Sequence, residues 1–398
     1  MKYSSRVEGL QGRRTSAWEI HRVAQQAAAN GNDVIVLSVG DPDFATPAPI
    51  VERAIDALRG GDTHYSAVSG RDPLRAAIAE EQARMTGGCT VSAANVILTA
   101  GAQNGVFATS LCLLEAGDEV IVPEPMYLTY EACVRAAGAT LVPVPVDPAR
   151  AFHLDCDALE RAVTARTKAI FFATPCNPTG VVMPRADLER IARVACEHDL
   201  WVLSDEVYAD LTFEREHVSI MSLPGMAERT VTLGSLSKSH AMAGWRVGWA
   251  IGPTQLIEHM GRLALAMLYG LPGFIQQAAL TALQEKSRIV AQMRDIYRRR
   301  RDVVFERLSR VPRLRCLLPE AGMFMMVDVS GTGLDTVDFT WQLFRAQGVS
   351  VLDASAFGET ANGFVRLGFV VDEARLAEAC ERIAAFVAAL PLPFQSNP

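Results

Sequence analysis

The middle of the chain alternates short apolar runs with longer stretches in which apolar residues recur every three or four positions. The runs fall at Val96–Thr99, Glu119–Val122, Thr140–Val146, Ala169–Ala173, Trp201–Ser204, Thr230–Leu233 and Val247–Ile251. Each is short and rich in residues that favour strands, so each predicts a strand. Helical spacing fills most gaps, at Gly105–Leu114, Tyr127–Ala137 and Arg185–His198 for example. Strand–helix alternation predicts an α/β fold with a mainly parallel, seven-stranded sheet covered on both faces. In such sheets ligands bind beyond the carboxyl ends of the strands.

Further along, Pro272 to about Leu308 predicts one long helix that ends near Pro312. Strands are expected at Phe324–Val329, Val349–Leu352 and Phe364–Phe369, with helices at Thr336–Gln347 and Asp372–Leu390. Near the start, Ala17–Asn30 is helical in pattern. The expected organisation is an arm over residues 1–46, a large unit over 47–285 and a smaller α/β unit over 286–398. The arm packs on the smaller unit or on a partner. No linker rich in Gly, Ser or Pro separates the parts.

Composition narrows the function classes. The 398 residues carry 38 basic and 45 acidic side chains, a net charge of −7, which argues against a general nucleic-acid binder. The run Arg298–Arg301 is expected to be a solvated helix face. No stretch is long and apolar enough to span a membrane, and Met1–Ile20 has no apolar core of a signal peptide. Eight scattered cysteines, none in a CxxC pair, fit a reducing cytoplasm. Seven scattered histidines disfavour a metal centre.

Four segments, each after an expected strand, carry chemistry. Thr99–Gly105 sits at a strand-to-helix junction, where free backbone N–H groups attract an anion. Thr174-Pro175-Cys176-Asn177-Pro178-Thr179-Gly180 offers a hydrogen-bonding Asn in a turn. Ser204-Asp205-Glu206-Val207-Tyr208 offers a carboxylate, which alone is equally consistent with a helix cap. Gly234-Ser235-Leu236-Ser237-Lys238, followed by Gly244-Trp245-Arg246-Val247-Gly248, offers an amine with hydroxyls and a guanidinium suited to phosphate. Ser235-x-x-Lys238 also matches the SxxK of penicillin-recognising serine enzymes, but the companion SDN and KTG elements are missing. A phosphate cradle, an Asn, an acid and an amine, in that order, meet the needs of pyridoxal 5′-phosphate.

These motifs resemble the class I/II aminotransferases of fold type I, nearly end to end from Gly40-Asp41-Pro42-Asp43-Phe44 to Arg366. The resemblance implies a Schiff base between pyridoxal 5′-phosphate and Lys238, which then shuttles a proton, with a pyridoxamine phosphate form between half-reactions. It implies that Asp205 pairs with the pyridine nitrogen and that Asn177 and Tyr208 contact the ring oxygen. Tyr127 would stack on the ring. Gly101, Ala102, Gln103, Ser235, Ser237 and Arg246 would hold the phosphate, joined by Tyr65 from the neighbouring subunit of a homodimer. Arg366 would clamp the substrate carboxylate, with Gly40 and Asn177 adding contacts. Further stretches, Ser235–Trp249 and Met267–Gly270 among them, resemble arginine–pyruvate transaminases. Candidate partners for a guanidinium are Asp41, Glu8, Glu19 and Trp18. The substrates implied are an amino acid, arginine or a related guanidino acid first, and an α-keto acid such as pyruvate. Aspartate or aromatic amino acids, and β-lyase, cyclase or oxidase chemistry on the same cofactor, stay open. A non-enzyme regulator is disfavoured by the retained Lys238.

Overall fold

A computed structural model of the chain describes residues 3, 4, 7, 10 and 17–391. All seven expected central strands form and join one sheet. Its order is Val96–Thr99, Gly248–Ile251, Thr230–Ser235, Trp201–Asp205, Thr167–Ala173, Glu119–Glu124, Thr140–Pro145. Only Gly248–Ile251 runs against the others. Alternate side chains serve opposite faces, as the pleat requires. Ile97, Val120, Phe171, Leu203 and Val231 pack on one face with Val106, Val134 and Met260 of the helices Ala102–Leu113, Tyr130–Ala136 and Thr254–Met267. Ile121, Ile170, Phe172 and Val202 pack on the other with Leu188 and Ile191 of the helix Arg185–Glu197. Both faces are therefore dry, which explains why these strands read as continuous apolar runs.

Direction decides where the chemistry goes. The parallel strands Val96–Thr99, Thr167–Ala173, Trp201–Asp205 and Thr230–Ser235 all end at one edge, and the antiparallel Gly248–Ile251 begins there. Arg246, just before that strand, so meets the residues that follow the other four.

The C-terminal part builds a four-stranded sheet, in the order Leu352–Asp353, Phe364–Gly368, Phe324–Asp328, Arg315–Leu317. Val349–Leu352, expected as one strand, is split. Val349–Ser350 pairs in parallel with Ile35–Val36, whereas Leu352–Asp353 pairs with Val365 and Arg366. The N-terminal segment is thus tied to the C-terminal part by backbone hydrogen bonds. The expected long helix is also two, Gly273–Gln284 and Lys286–Leu308. They meet at Glu285, whose ψ of 4° breaks the run and turns Lys286 onto Glu81 and Asp210. The helices Ala48–Arg59, Asp72–Met85 and Thr254–Met267 add to the expected set.

Only part of the arginine run is a solvated face: Arg299 is exposed, but the two arginines after it are not. Arg300 is 4% exposed and Arg301 is 3% exposed. Arg300 makes a two-pronged pair with Asp43, at 2.7 and 2.8 Å, and lies 4.9 Å from the Phe44 ring centroid. Arg301 pairs the same way with Glu214, at 2.7 and 2.6 Å, and also meets Asp302 and the Pro319 carbonyl. Charge pattern alone favoured solvent, but planar guanidinium forks can be buried when a carboxylate fork answers them. Removing one partner of a buried pair strands the other charge. Asp43→Asn should therefore cost about 3 kcal/mol in urea unfolding. Glu214→Gln should cost less than about 1 kcal/mol, because Glu214 is largely exposed and Arg301 keeps other partners. Equal losses would contradict this ranking.

Candidate active site

Beyond the shared strand edge lies a cavity of about 280 Å3. Its lining includes Gly40, Ala102, Gln103, Tyr127, Asn177, Asp205, Tyr208, Ser235, Ser237, Lys238, Arg246 and Arg366. Twelve of the fourteen positions expected to contact the cofactor or the substrate carboxylate thus meet in one cavity. Gly101 adjoins it as the residue that opens the helix Ala102–Leu113. Tyr65 does not reach it. Tyr65 is 87% exposed and sits with Tyr269, ring centroids 4.9 Å apart, in a separate surface recess.

The helix start is built for an anion. The earliest backbone bonds back onto the cap come from the N–H groups of Asn104 and Gly105 to the Gly101 carbonyl. The preceding N–H groups of Ala102 and Gln103 have no carbonyl a turn earlier to bond to. Gly101 has φ of 80°, and a Cβ there would run into the Arg246 guanidinium. Gly248 is equally constrained, since its Cβ would lie 2.7 Å from the Ala102 nitrogen. Two glycines thus let the guanidinium and the helix start share one spot. Arg246 donates to the carbonyls of Ala243 and Ala100, at 2.8 and 3.1 Å. The Ser235 hydroxyl oxygen accepts from the Ser237 N–H at 3.2 Å.

Lys238 is one of four lysines in the chain. Its Nζ donates to the Gly40 carbonyl at 2.7 Å. Burial lowers its pKa to about 8; Arg366 and Arg246 add to the shift and Asp41 opposes it. A neutral amine is the nucleophilic form. Asp205 accepts from the Tyr130 hydroxyl at 2.7 Å and from the Val207 N–H at 3.2 Å. Burial pushes its carboxyl up, against those two bonds. Burial also raises the phenols of Tyr127 and Tyr208, so both stay protonated.

Arg366 is 2% exposed. It donates to Asn177 Oδ1 at 2.8 Å and to the Ser38 carbonyl at 3.3 Å, and its Nε is buried without a partner. Phe357 and Phe324 lie 4.9 and 5.2 Å from the guanidinium carbon. Among the described residues no carboxylate pairs with it. A buried cation of this kind is costly unless an anion answers it. An anionic ligand group entering the cavity would answer that charge.

The donor set fits pyridoxal phosphate. It holds N–H groups, hydroxyls and a cation for phosphate, an acid for a ring nitrogen, an aromatic face and an amine. Sequence reasoning missed Tyr130, whose only signal is its place one helical turn after Tyr127. It also missed the apolar wall of Val39, Val106, Ala173 and Val207, which carries no chemical pattern. Of the guanidinium partners considered, Asp41 and Trp18 line the cavity. Glu19 is exposed and lies 3.9 Å from Arg22, and Glu8 falls outside the described residues. Among the described residues no cluster of His, Cys, Asp and Glu is arranged to hold a metal ion. Nor is any helix there long and apolar enough to cross a membrane.

Fold and site together define a pyridoxal-phosphate-dependent aminotransferase. The chain belongs to the class I and II aminotransferases, whose family model matches residues 32–383. An arginine–pyruvate transaminase of Pseudomonas aeruginosa is 50% identical to it, over 98% of this chain and 99% of the relative. An aspartate/prephenate aminotransferase of Thermus thermophilus is 37% identical, over 96% and 97%. The solved aspartate aminotransferase from Thermus thermophilus with maleate superposes with a TM-score of 0.92. It is 36% identical and the match covers 97% of this chain and 100% of that one.

Proposed function

We propose that this aminotransferase moves the α-amino group of L-arginine, or a related guanidino amino acid, to an α-keto acid such as pyruvate. The observation that carries the reading is a buried, carboxylate-free Arg366 lining the same cavity as a Lys238 amine of lowered pKa. The 50% identity to a relative named for arginine and pyruvate supports the substrate pair.

When bound, pyridoxal phosphate supplies an electron sink for the pair left on the substrate Cα as its proton departs. In this reading Lys238 Nζ would hold the cofactor covalently and, once displaced by the substrate amine, would carry the proton from Cα to the cofactor's former aldehyde carbon. Its lowered pKa keeps a neutral fraction near pH 7. Arg366 receives the substrate carboxylate on its fork, which Asn177 and the Ser38 carbonyl hold in place. Gly40 lies beside that carboxylate. The free N–H groups of Ala102 and Gln103, at the helix start that Gly101 opens, hold the phosphate with Ser235, Ser237 and Arg246. Asp205 holds the proton on the ring nitrogen. Tyr127 covers the ring face, and Asn177 and Tyr208 donate to its oxygen.

Asp41 and Trp18 are proposed to receive the guanidinium. Asp41 stands on the cavity wall with Trp18, its charge already felt by Lys238 and His21. Asp41→Asn should raise KM for arginine about tenfold while leaving alanine little changed. An equal effect on both would reject this specificity role.

The chain is further proposed to act as a homodimer, with Tyr65 reaching the partner's phosphate site. Support comes from a patch of exposed Tyr65, Leu265, Met267 and Tyr269. Mixing inactive Lys238→Ala and Tyr65→Phe proteins should restore activity through hybrid dimers; no recovery counts against a shared site. The division at residues 46 and 285 belongs to the same reading, and sheet membership supports it. Eight free cysteines support a cytoplasmic location, which cell fractionation tests.

A further inference from the structure

Asp205 has a companion that its assigned role leaves unused. Tyr130 Oη donates to Asp205 Oδ2 at 2.7 Å, while the Val207 N–H reaches Oδ1 at 3.2 Å. Tyr130 is 1% exposed. Its ring lies against Phe171 with centroids 4.0 Å apart, and meets Tyr127 edge-on at 5.8 Å. Packing therefore fixes the side chain, and the hydroxyl has one orientation to offer. The Tyr130 N–H also bonds to the Tyr127 carbonyl at 3.1 Å, so one turn of backbone carries both tyrosines.

We propose that Tyr130 is a positioning residue of the transamination site: its hydroxyl fixes the plane of the Asp205 carboxylate and keeps it ionised to face the cofactor's ring nitrogen. This rests on the reading of Asp205 given above. The need for such a device is physical. Burial drives the Asp205 carboxyl toward its neutral form, and the neighbouring Glu206 pushes the same way. The bonds from Tyr130 and Val207 oppose them. Tyr127, Tyr208 and Cys176 also sense the Asp205 charge, and all three stay protonated because burial raises them. Tyr130 itself is pushed well above the ordinary phenol value, so it remains a donor. A neutral Asp205 could not hold a proton on the ring nitrogen, and the electron sink would weaken. The same turn sets the aromatic face at Tyr127, which ties ring position to ring protonation.

The test uses the protein reconstituted with pyridoxal phosphate carrying 15N in the ring. Nitrogen NMR reports directly whether that atom is protonated. The parent should show a protonated nitrogen at neutral pH. Tyr130→Phe keeps the stack on Phe171 and removes only the hydroxyl. It should show loss of that proton, with cofactor affinity weakened roughly tenfold, as expected for one hydrogen bond to a charged group. A protonated nitrogen and unchanged affinity in Tyr130→Phe would overturn the role of Tyr130 while leaving that of Asp205. An unprotonated nitrogen in the parent would overturn the Asp205 reading and this inference with it.

Discussion

Lys238→Ala should bind pyridoxal phosphate reversibly and turn over amino acids roughly 10^4-fold more slowly. Two functions vanish with one side chain: covalent capture of the cofactor and movement of the Cα proton. No neighbour can replace it. Lys286 is held by Glu81 and Asp210, and Lys168 lies at the start of the strand Thr167–Ala173, away from the functional edge. Borohydride reduction of the loaded parent should attach the cofactor to the Lys238 peptide, as read by mass spectrometry. Capture by the cofactor-free parent should accelerate with pH around a midpoint near 8, because burial lowers the amine to about that value. The sign follows from deprotonation: the neutral, reactive amine grows as pH rises. A label on another lysine, or a midpoint near 10.5, would reject the assignment.

Arg366→Ala should leave cofactor capture intact and weaken binding of both amino and keto acids. The lost interaction is a charged fork, worth about 1.5–3 kcal/mol, so KM should rise roughly 10- to 150-fold. Arg366→Lys should recover part of this, since it restores charge without the planar fork. The effect should be alike for every substrate, because the carboxylate is common to all. Asp41→Asn, by contrast, should discriminate between side chains. An unchanged KM in Arg366→Ala for all substrates would contradict the clamp.

The central sheet was legible because its strands are buried on both faces. Runs such as Ala169–Ala173 therefore carry an unbroken apolar signal. The functional loops were legible because each follows such a strand. Elsewhere the sequence underdetermines the structure. Glu285 is an ordinary helix former, and nothing local marks the break beside which Lys286 meets Glu81 and Asp210, far away in the chain. Val349–Leu352 carries one apolar pattern but serves two sheets. Arg298–Arg301 looks solvated until Asp43 and Glu214, far away in the chain, supply the answering carboxylates. Tyr130 was hidden for a similar reason, since a buried tyrosine in a helix usually means packing, and its bond to Asp205 spans 75 positions.

The central claim is that the α-amino group passes from one acid to another. It is tested most directly by incubating the loaded enzyme with L-arginine labelled with 15N at the α-amino group, together with pyruvate. Labelled alanine should form one-for-one with the keto acid of arginine. Consumption of arginine with the label released as ammonia, and no labelled alanine, would contradict it.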